Sequence, residues 1–165
     1  MDIIESLVVI VMKEKHSERS HNQVVWGRIA EEFVQYRLQL TSKGVIRKKH
    51  KLYYDLIHIY GNLEGYHERK IEVKACQLFY QNGKENQYST GSFKIYPHNH
   101  KKILLDDGLY IFVYMFHEKV LFAISYNAKD VDKLPSKHFL IKGRNNKKYF
   151  NVRANFFANK EIQCI

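Results

Sequence analysis

The stretch Lys70-Ile71-Glu72-Val73-Lys74-Ala75-Cys76 alternates polar and apolar residues, which is the pattern of a β-strand with one face against a core. On such a strand Glu72 and Lys74 project to the same side, because side chains two apart share a face. Upstream, Tyr53–Tyr60 is rich in Tyr and Ile and closes on the turn signal Gly61-Asn62, so a second strand is expected there. The two runs should pair as a β-hairpin with its loop around Gly65. Pairing of that kind can set Asp55, in the first strand, against Glu72 in the second.

Before the hairpin, Ser20 with Gln23 supplies a capping box. The apolar residues Val25, Ile29, Phe33, Tyr36 and Leu40 then recur at helical spacing, and Trp26, Ala30, Val34 and Leu38 form a second row. A narrow polar strip of Arg28, Glu31, Glu32, Gln35 and Gln39 remains, so this helix is expected to be buried on most sides. Thr41–Gly44 stops it, and a basic run follows. An earlier apolar segment, Ile3–Met12, begins with Asp2 and Glu5 and reads as another capped, buried helix. After the hairpin, residues 81–92 read as a polar loop and Pro97 opens a helix to about Leu105. Leu109–Phe116 is nearly continuous in apolar residues, as a strand covered on both faces requires. Val120–Tyr126 is a further strand, Lys129–Leu134 a short helix, and Lys142–Lys148 a basic loop or hairpin tip. This order implies an α/β chain with a single mixed β-sheet flanked by helices. With no repeat and no Pro/Gly/Ser linker, residues 1–165 are expected to form one domain.

Composition narrows the function. With 45% hydrophobic and 27% charged residues, the chain is neither a disordered tail nor a membrane bundle. Cys76 and Cys164 are too few for a disulfide framework or a zinc cage, which makes a reducing, cytoplasmic location the expectation. The apolar start lacks the basic flank and the cleavage site of a signal peptide, and it is too short to span a bilayer. Lys+Arg 27 against Asp+Glu 17 gives a formal charge of +10. Such an excess suits a polyanion, since phosphate contacts release condensed counterions.

Two carboxylates converging with a lysine is what a metal-assisted phosphodiesterase needs. Asp55 and Glu72 offer hard oxygen donors for a cation such as Mg2+. Lys74 can orient or deprotonate the attacking water and contact the phosphate. A Glu-x-Lys triplet is also an ordinary surface ion pair, but here its charges lie between apolar strand residues. Of the remaining candidates, His98 and His100 lack a third ligand at zinc spacing and read as solvated or phosphate-facing. Cys76 reads as core packing, and the glycines form no phosphate-binding loop. Arg47, Lys48, Lys49 and Lys51 in one basic run, and Arg144, Lys147 and Lys148 in another, are the candidates for DNA backbone contact.

With these residues in view, the chain resembles the PD-(D/E)xK nuclease superfamily, the restriction-endonuclease-like fold. The family pattern sets an acidic residue on a first helix, an aspartate on a strand and E-x-K on the next strand. These look like Glu31 or Glu32, Asp55, and Glu72-Val73-Lys74. Helical periodicity leaves both glutamates open, at opposite edges of the polar strip; the spacing of Gly27, Ala30 and Glu31 favours Glu31 by resemblance, leaving Glu32 as an i,i+4 partner for Arg28. Gln77 resembles a glutamine that several branches carry after the lysine. Gly91-Ser92-Phe93, His100 and Asp107-Gly108-Leu109-Tyr110 are similar to a pattern in small archaeal members. One departure is that Tyr54, not proline, precedes Asp55. The resemblance implies a Mg2+-dependent DNA endonuclease, with Mn2+ as a substitute. Asp55, Glu72 and the Val73 carbonyl would hold the metal, Lys74 would assist the water, Glu31 would tune the site, and Gln77 would orient phosphate or water. A Holliday-junction resolvase of the same superfamily is the nearest alternative, and a non-catalytic nucleic-acid-binding module the more distant one. Either nuclease reading implies a homodimer acting on duplex or branched DNA.

Overall fold

The computed structural model describes residues 22–51, 53–62, 64–77, 79–81, 88–116, 118–134, 141–142 and 148–153. In chain order the elements are α1 (Asn22–Thr41), β1 (Val45–Lys51), β2 (Tyr54–Asn62), β3 (Gly65–Gln77), β4 (Phe79–Gln81), β5 (Tyr88–Thr90), β6 (Ser92–Ile95), α2 (Pro97–Leu105), β7 (Leu109–Phe116), β8 (Lys119–Asn127), α3 (Ala128–Val131), β9 (Ile141–Lys142) and β10 (Lys148–Arg153). The expected helix over Ile3–Met12, Ser20 of the capping box, Arg144, Lys147 and Cys164 lie outside the described residues.

The central sheet runs β1-β2-β3-β7-β8. Its β3–β7 pair is parallel and its other three pairs are antiparallel, so it is the mixed sheet expected. The hairpin forms as read: Leu56 pairs with Ile71, and the ladder runs out to Asn62 and Gly65. On β7, Tyr110–Met115 are each at most 1% exposed, because this strand carries a core on both faces. On one face, Ala30, Val34 and Leu38 of α1 pack on Leu56, Ile71, Val73, Ile111 and Val113. On the other, Tyr110, Phe112 and Tyr114 meet Phe93 and Ile95 of β6, Ile103 of α2, and Val131. Pro97 opens α2 as expected, and Cys76 is buried in this second core.

Three expectations change. First, α1 is not buried on most sides. Only the row of Ala30, Val34 and Leu38 is fully covered, while Tyr36 and Leu40 are more than 60% exposed; a helix lying on a sheet buries one stripe. Second, the basic run after Gly44 is an edge strand, β1, with Ile46 buried against the core and its partners on β2. Lysines on an edge strand discourage further strand pairing, so a charged run and a strand are compatible. Third, residues 81–92 are not merely a loop: β4 pairs with β5, and β6 joins β9 and β10 in a small sheet. Among the described residues no helix is long and apolar enough to cross a membrane.

Two glycines hold junctions that a side chain would break. Gly44, between α1 and β1, has φ of 107° and lies so close to Ile59 that an added Cβ would sit 2.3 Å from its carbonyl oxygen. Gly91 brings the start of β6 against the end of β3, where a Cβ would stand 2.0 Å from the Gln77 carbonyl oxygen. Gly91→Ala should therefore destabilise the fold by about 1–3 kcal/mol, the usual range for overpacking. Urea unfolding monitored by circular dichroism checks this, and a midpoint equal to wild type would refute the close approach.

Candidate active site

The site forms where β2 gives way beside β3. Their last paired residues are Leu56 and Ile71, and one further step in that register sets Asp55 opposite Glu72. Two residues beyond Ile71, the Val73 N–H donates to Asp55 Oδ2 at 2.8 Å. A side chain thus satisfies a backbone donor that would otherwise need a strand carbonyl. Strand alternation points Lys70, Glu72, Lys74 and Cys76 to the face carrying Tyr110 and Phe112, and Ile71, Val73, Ala75 and Gln77 to the α1 face. Glu72 is 5% exposed, and the Lys74 ammonium forms an ion pair with its Oε1.

Burial pushes the Glu72 carboxyl up to about 7. Lys74 opposes the shift, whereas the nearby charges of Asp55 and Glu31 add to it. The Glu31 charge, from α1, is the smallest of these influences. The Glu31 carboxylate is 3.2 Å from Lys48 on β1. Glu32 is exposed and, among the described residues, forms no ion pair with Arg28; both side chains face water, which competes well with an i,i+4 pair.

These groups fit a divalent cation. Among the described residues no three His, Cys, Asp or Glu side chains gather into a metal site, so the donors present are two carboxylates with backbone oxygen beside them. They are hard oxygen ligands, and Lys74 lowers the Glu72 pKa without offsetting the rise that burial produces.

The remaining candidates are dispersed. Gln77 is half-buried at the end of β3, opposite Met115 and on the α1 face. Arg47 is exposed on β1, Lys49 and Lys51 belong to the same strand, and Lys148 begins β10. His100 is a correction: it is 6% exposed rather than solvated. Its Nδ1 lies 3.1 Å from the Tyr110 hydroxyl and its Nε2 3.0 Å from Asp132 Oδ1. Tyr110 is in turn the β7 neighbour of Glu72, and the Glu72 charge is one reason its phenol is held well above the usual range, after burial. The sequence spacing between His100, Tyr110 and Asp132 carries no signal for this chain of contacts, because it spans a helix, a strand and a turn.

The Glu72 shift has a consequence for stability. An unfolded glutamate ionises near 4.5 and the folded one near 7. Between those values the folded state holds the extra proton, so stability falls as pH rises through the window and the loss is complete above it. The size is of order 3 kcal/mol. In EDTA, wild type should lose stability between about pH 5 and pH 8, and Glu72→Gln should remove that loss. Urea unfolding at both pH values tests this, and equal pH dependence in the two proteins would refute it.

No curated protein matches the chain. A family model described as the PD-(D/E)XK nuclease superfamily domain matches residues 17–154, which takes in α1, the whole central sheet and every residue of the site. The mixed sheet with its helices is the restriction-endonuclease-like α/β fold. Members of this superfamily act on nucleic acid and generally use divalent metal ions. The order of helical glutamate, strand aspartate and E-x-K, its convergence in space and the family match agree: the chain belongs to the PD-(D/E)XK nuclease superfamily.

Proposed function

We propose that this chain is a metal-dependent DNA endonuclease, with Mg2+ as its ion and residues 1–165 acting as one domain. The observation that carries this reading is the meeting of Asp55, buried Glu72 and Lys74 at the point where β2 leaves β3. Asp55, Glu72 and the Val73 carbonyl would hold the ion. A divalent cation there supplies electrophilic stabilisation of charge building on the phosphoryl oxygens.

The chain's own groups do the rest. The Asp55 carboxylate is held by the Val73 N–H through its Oδ2, which fixes its position beside β3. The Lys74 ammonium, anchored on Glu72, offers further donors that can orient the attacking water and steady the phosphate. Glu31, on α1, is assigned the tuning of the site; its charge is the smallest of the influences that hold Glu72 above its ordinary pKa. Gln77, on that same face, is assigned the orientation of phosphate or water. Arg47, Lys48, Lys49, Lys51, Arg144, Lys147 and Lys148 are assigned to the DNA backbone. Cutting both strands calls for two sites, hence a homodimer, and the free thiol Cys76 suits a cytoplasmic setting.

Incubation with linear, nicked, branched and single-stranded DNA, with and without Mg2+, tests the reading. Cleavage should require the ion, stop in EDTA and resume with Mn2+; Ca2+ should support binding without turnover. Preference for branched DNA would identify a Holliday-junction resolvase, and binding without cleavage in every case would leave only a nucleic-acid-binding module. Robust cleavage in EDTA would overturn the metal role.

Substitutions separate the roles. Lys74→Ala should cut the rate by about 10²–10⁴-fold with DNA binding largely kept, whereas Glu72→Ala should abolish cleavage. Single-turnover assays measure both, and near wild-type rates in the two variants would refute the assignment.

A further inference from the structure

Beside the proposed catalytic groups lies a second cluster that the reaction described above does not use. Lys70 precedes Glu72 by two residues on β3 and shares its face, so the two Cα atoms are about 6–7 Å apart along the strand. Its ammonium donates to the Tyr53 hydroxyl at 3.0 Å and to Asp106 Oδ2 at 2.8 Å. Tyr53 in turn lies two residues before Asp55. The ammonium of Lys102, in the last turn of α2, stands 5.4 Å from the centre of the Tyr53 ring, and that of Lys70 is at the same distance. Lys70 is also 5.6 Å from the Tyr54 ring, which packs edge-on against Tyr53.

Two cations thus stand at one aromatic ring, and Asp106 forms its ion pair with Lys70. An anion that reaches this ring is attracted by both ammoniums at once. Lys70 commits two of its three donors to Tyr53 and Asp106, which fix its direction and leave one donor over. Its side chain is 23% exposed, so that donor is reachable from solvent. Lys102 is paired, among the described residues, with the ring alone.

We propose that Lys70 and Lys102, gathered around Tyr53, form a subsite for the backbone phosphate next to the one cleaved at Glu72 and Lys74. Asp106 and Tyr53 act as positioning residues that hold Lys70 toward it. Lys70 leaves the same face of β3 as Glu72 and Lys74, so a polyanion lying along that face passes both. The assignment rests on the nuclease reading of the site, but it concerns residues outside the metal ligands and outside both basic runs.

The test is binding of labelled duplex DNA in Ca2+ across a range of NaCl concentrations, with cleavage in Mg2+ measured alongside. Lys102→Ala and Lys70→Gln should each lower the slope of log K against log salt by about one and weaken binding roughly equally for all sequences. In cleavage each should raise KM more than it lowers kcat. Lys119→Ala, which alters the strand end about 20 Å along the sheet from Tyr110, serves as the control and should match wild type. Thermal melting confirms that each variant is folded; should Lys70→Gln fail to fold, Lys102→Ala decides. If wild type binds and cleaves DNA while the folded lysine variants keep its slope and KM, the subsite is wrong and the catalytic reading stands. If wild type neither binds nor cleaves DNA, both fall.

Discussion

The hydrogen bond from the Val73 N–H to the Asp55 carboxylate is the contact on which the site depends. At this point β2 has begun to part from β3, and a backbone donor would lack a strand partner. A carboxylate fills the gap, so the end of a ladder becomes a fixed place for negative charge. Glu72, next in the chain, then has a like charge beside it and a buried position behind it. Removing Asp55 would therefore free a backbone donor and alter the acidity of Glu72 together.

The cores on the two faces of the sheet make this arrangement rigid. Leu56, Ile71 and Val73 are clamped beneath α1, while Tyr110, Phe112 and Cys76 are packed from the other side. A charged residue between two such layers has little room to escape into water. Burial against Tyr110 and its neighbours, more than any single charge, makes Glu72 a weak acid. The lysine beside it is only partly covered, so the pair presents a buried negative end and an accessible positive one.

Much of this was readable from residue patterns. Alternation over Lys70–Cys76 located the strand and placed Glu72 with Lys74, and the turn signal at Gly61-Asn62 located the hairpin. The apolar run of β7 and Pro97 at the start of α2 were equally direct, since each reports its own local environment. What escaped depends on partners far along the chain. The strand β1 is masked by its lysines, because an edge strand needs few apolar residues. The short strands β4, β5 and β6 are too brief to show a period. His100 looks solvated in sequence; its burial comes from Tyr110 and Asp132, brought there by the fold. Helical periodicity does not separate Glu31 from Glu32; that Glu31 meets Lys48 while Glu32 is exposed follows from how α1 lies beside β1.

The parallel pairing of β3 with β7 gives the domain a particular order of assembly. Asp55, Glu72 and Lys74 belong to one antiparallel hairpin and can meet early, since hairpin contacts are close in sequence. Ile71 reaches its partner Leu109 only across the 37 residues between them, a closure whose entropy must be met before its contacts contribute. The hairpin can therefore display its charges to water long before Tyr110 arrives to bury Glu72. A nascent or partly unfolded chain would carry the acidic residues and the lysine in an ordinary, fully hydrated state. The unusual acidity of the site is thus a property of the completed fold, and it needs the pairing in the sheet that joins the strands farthest apart in sequence.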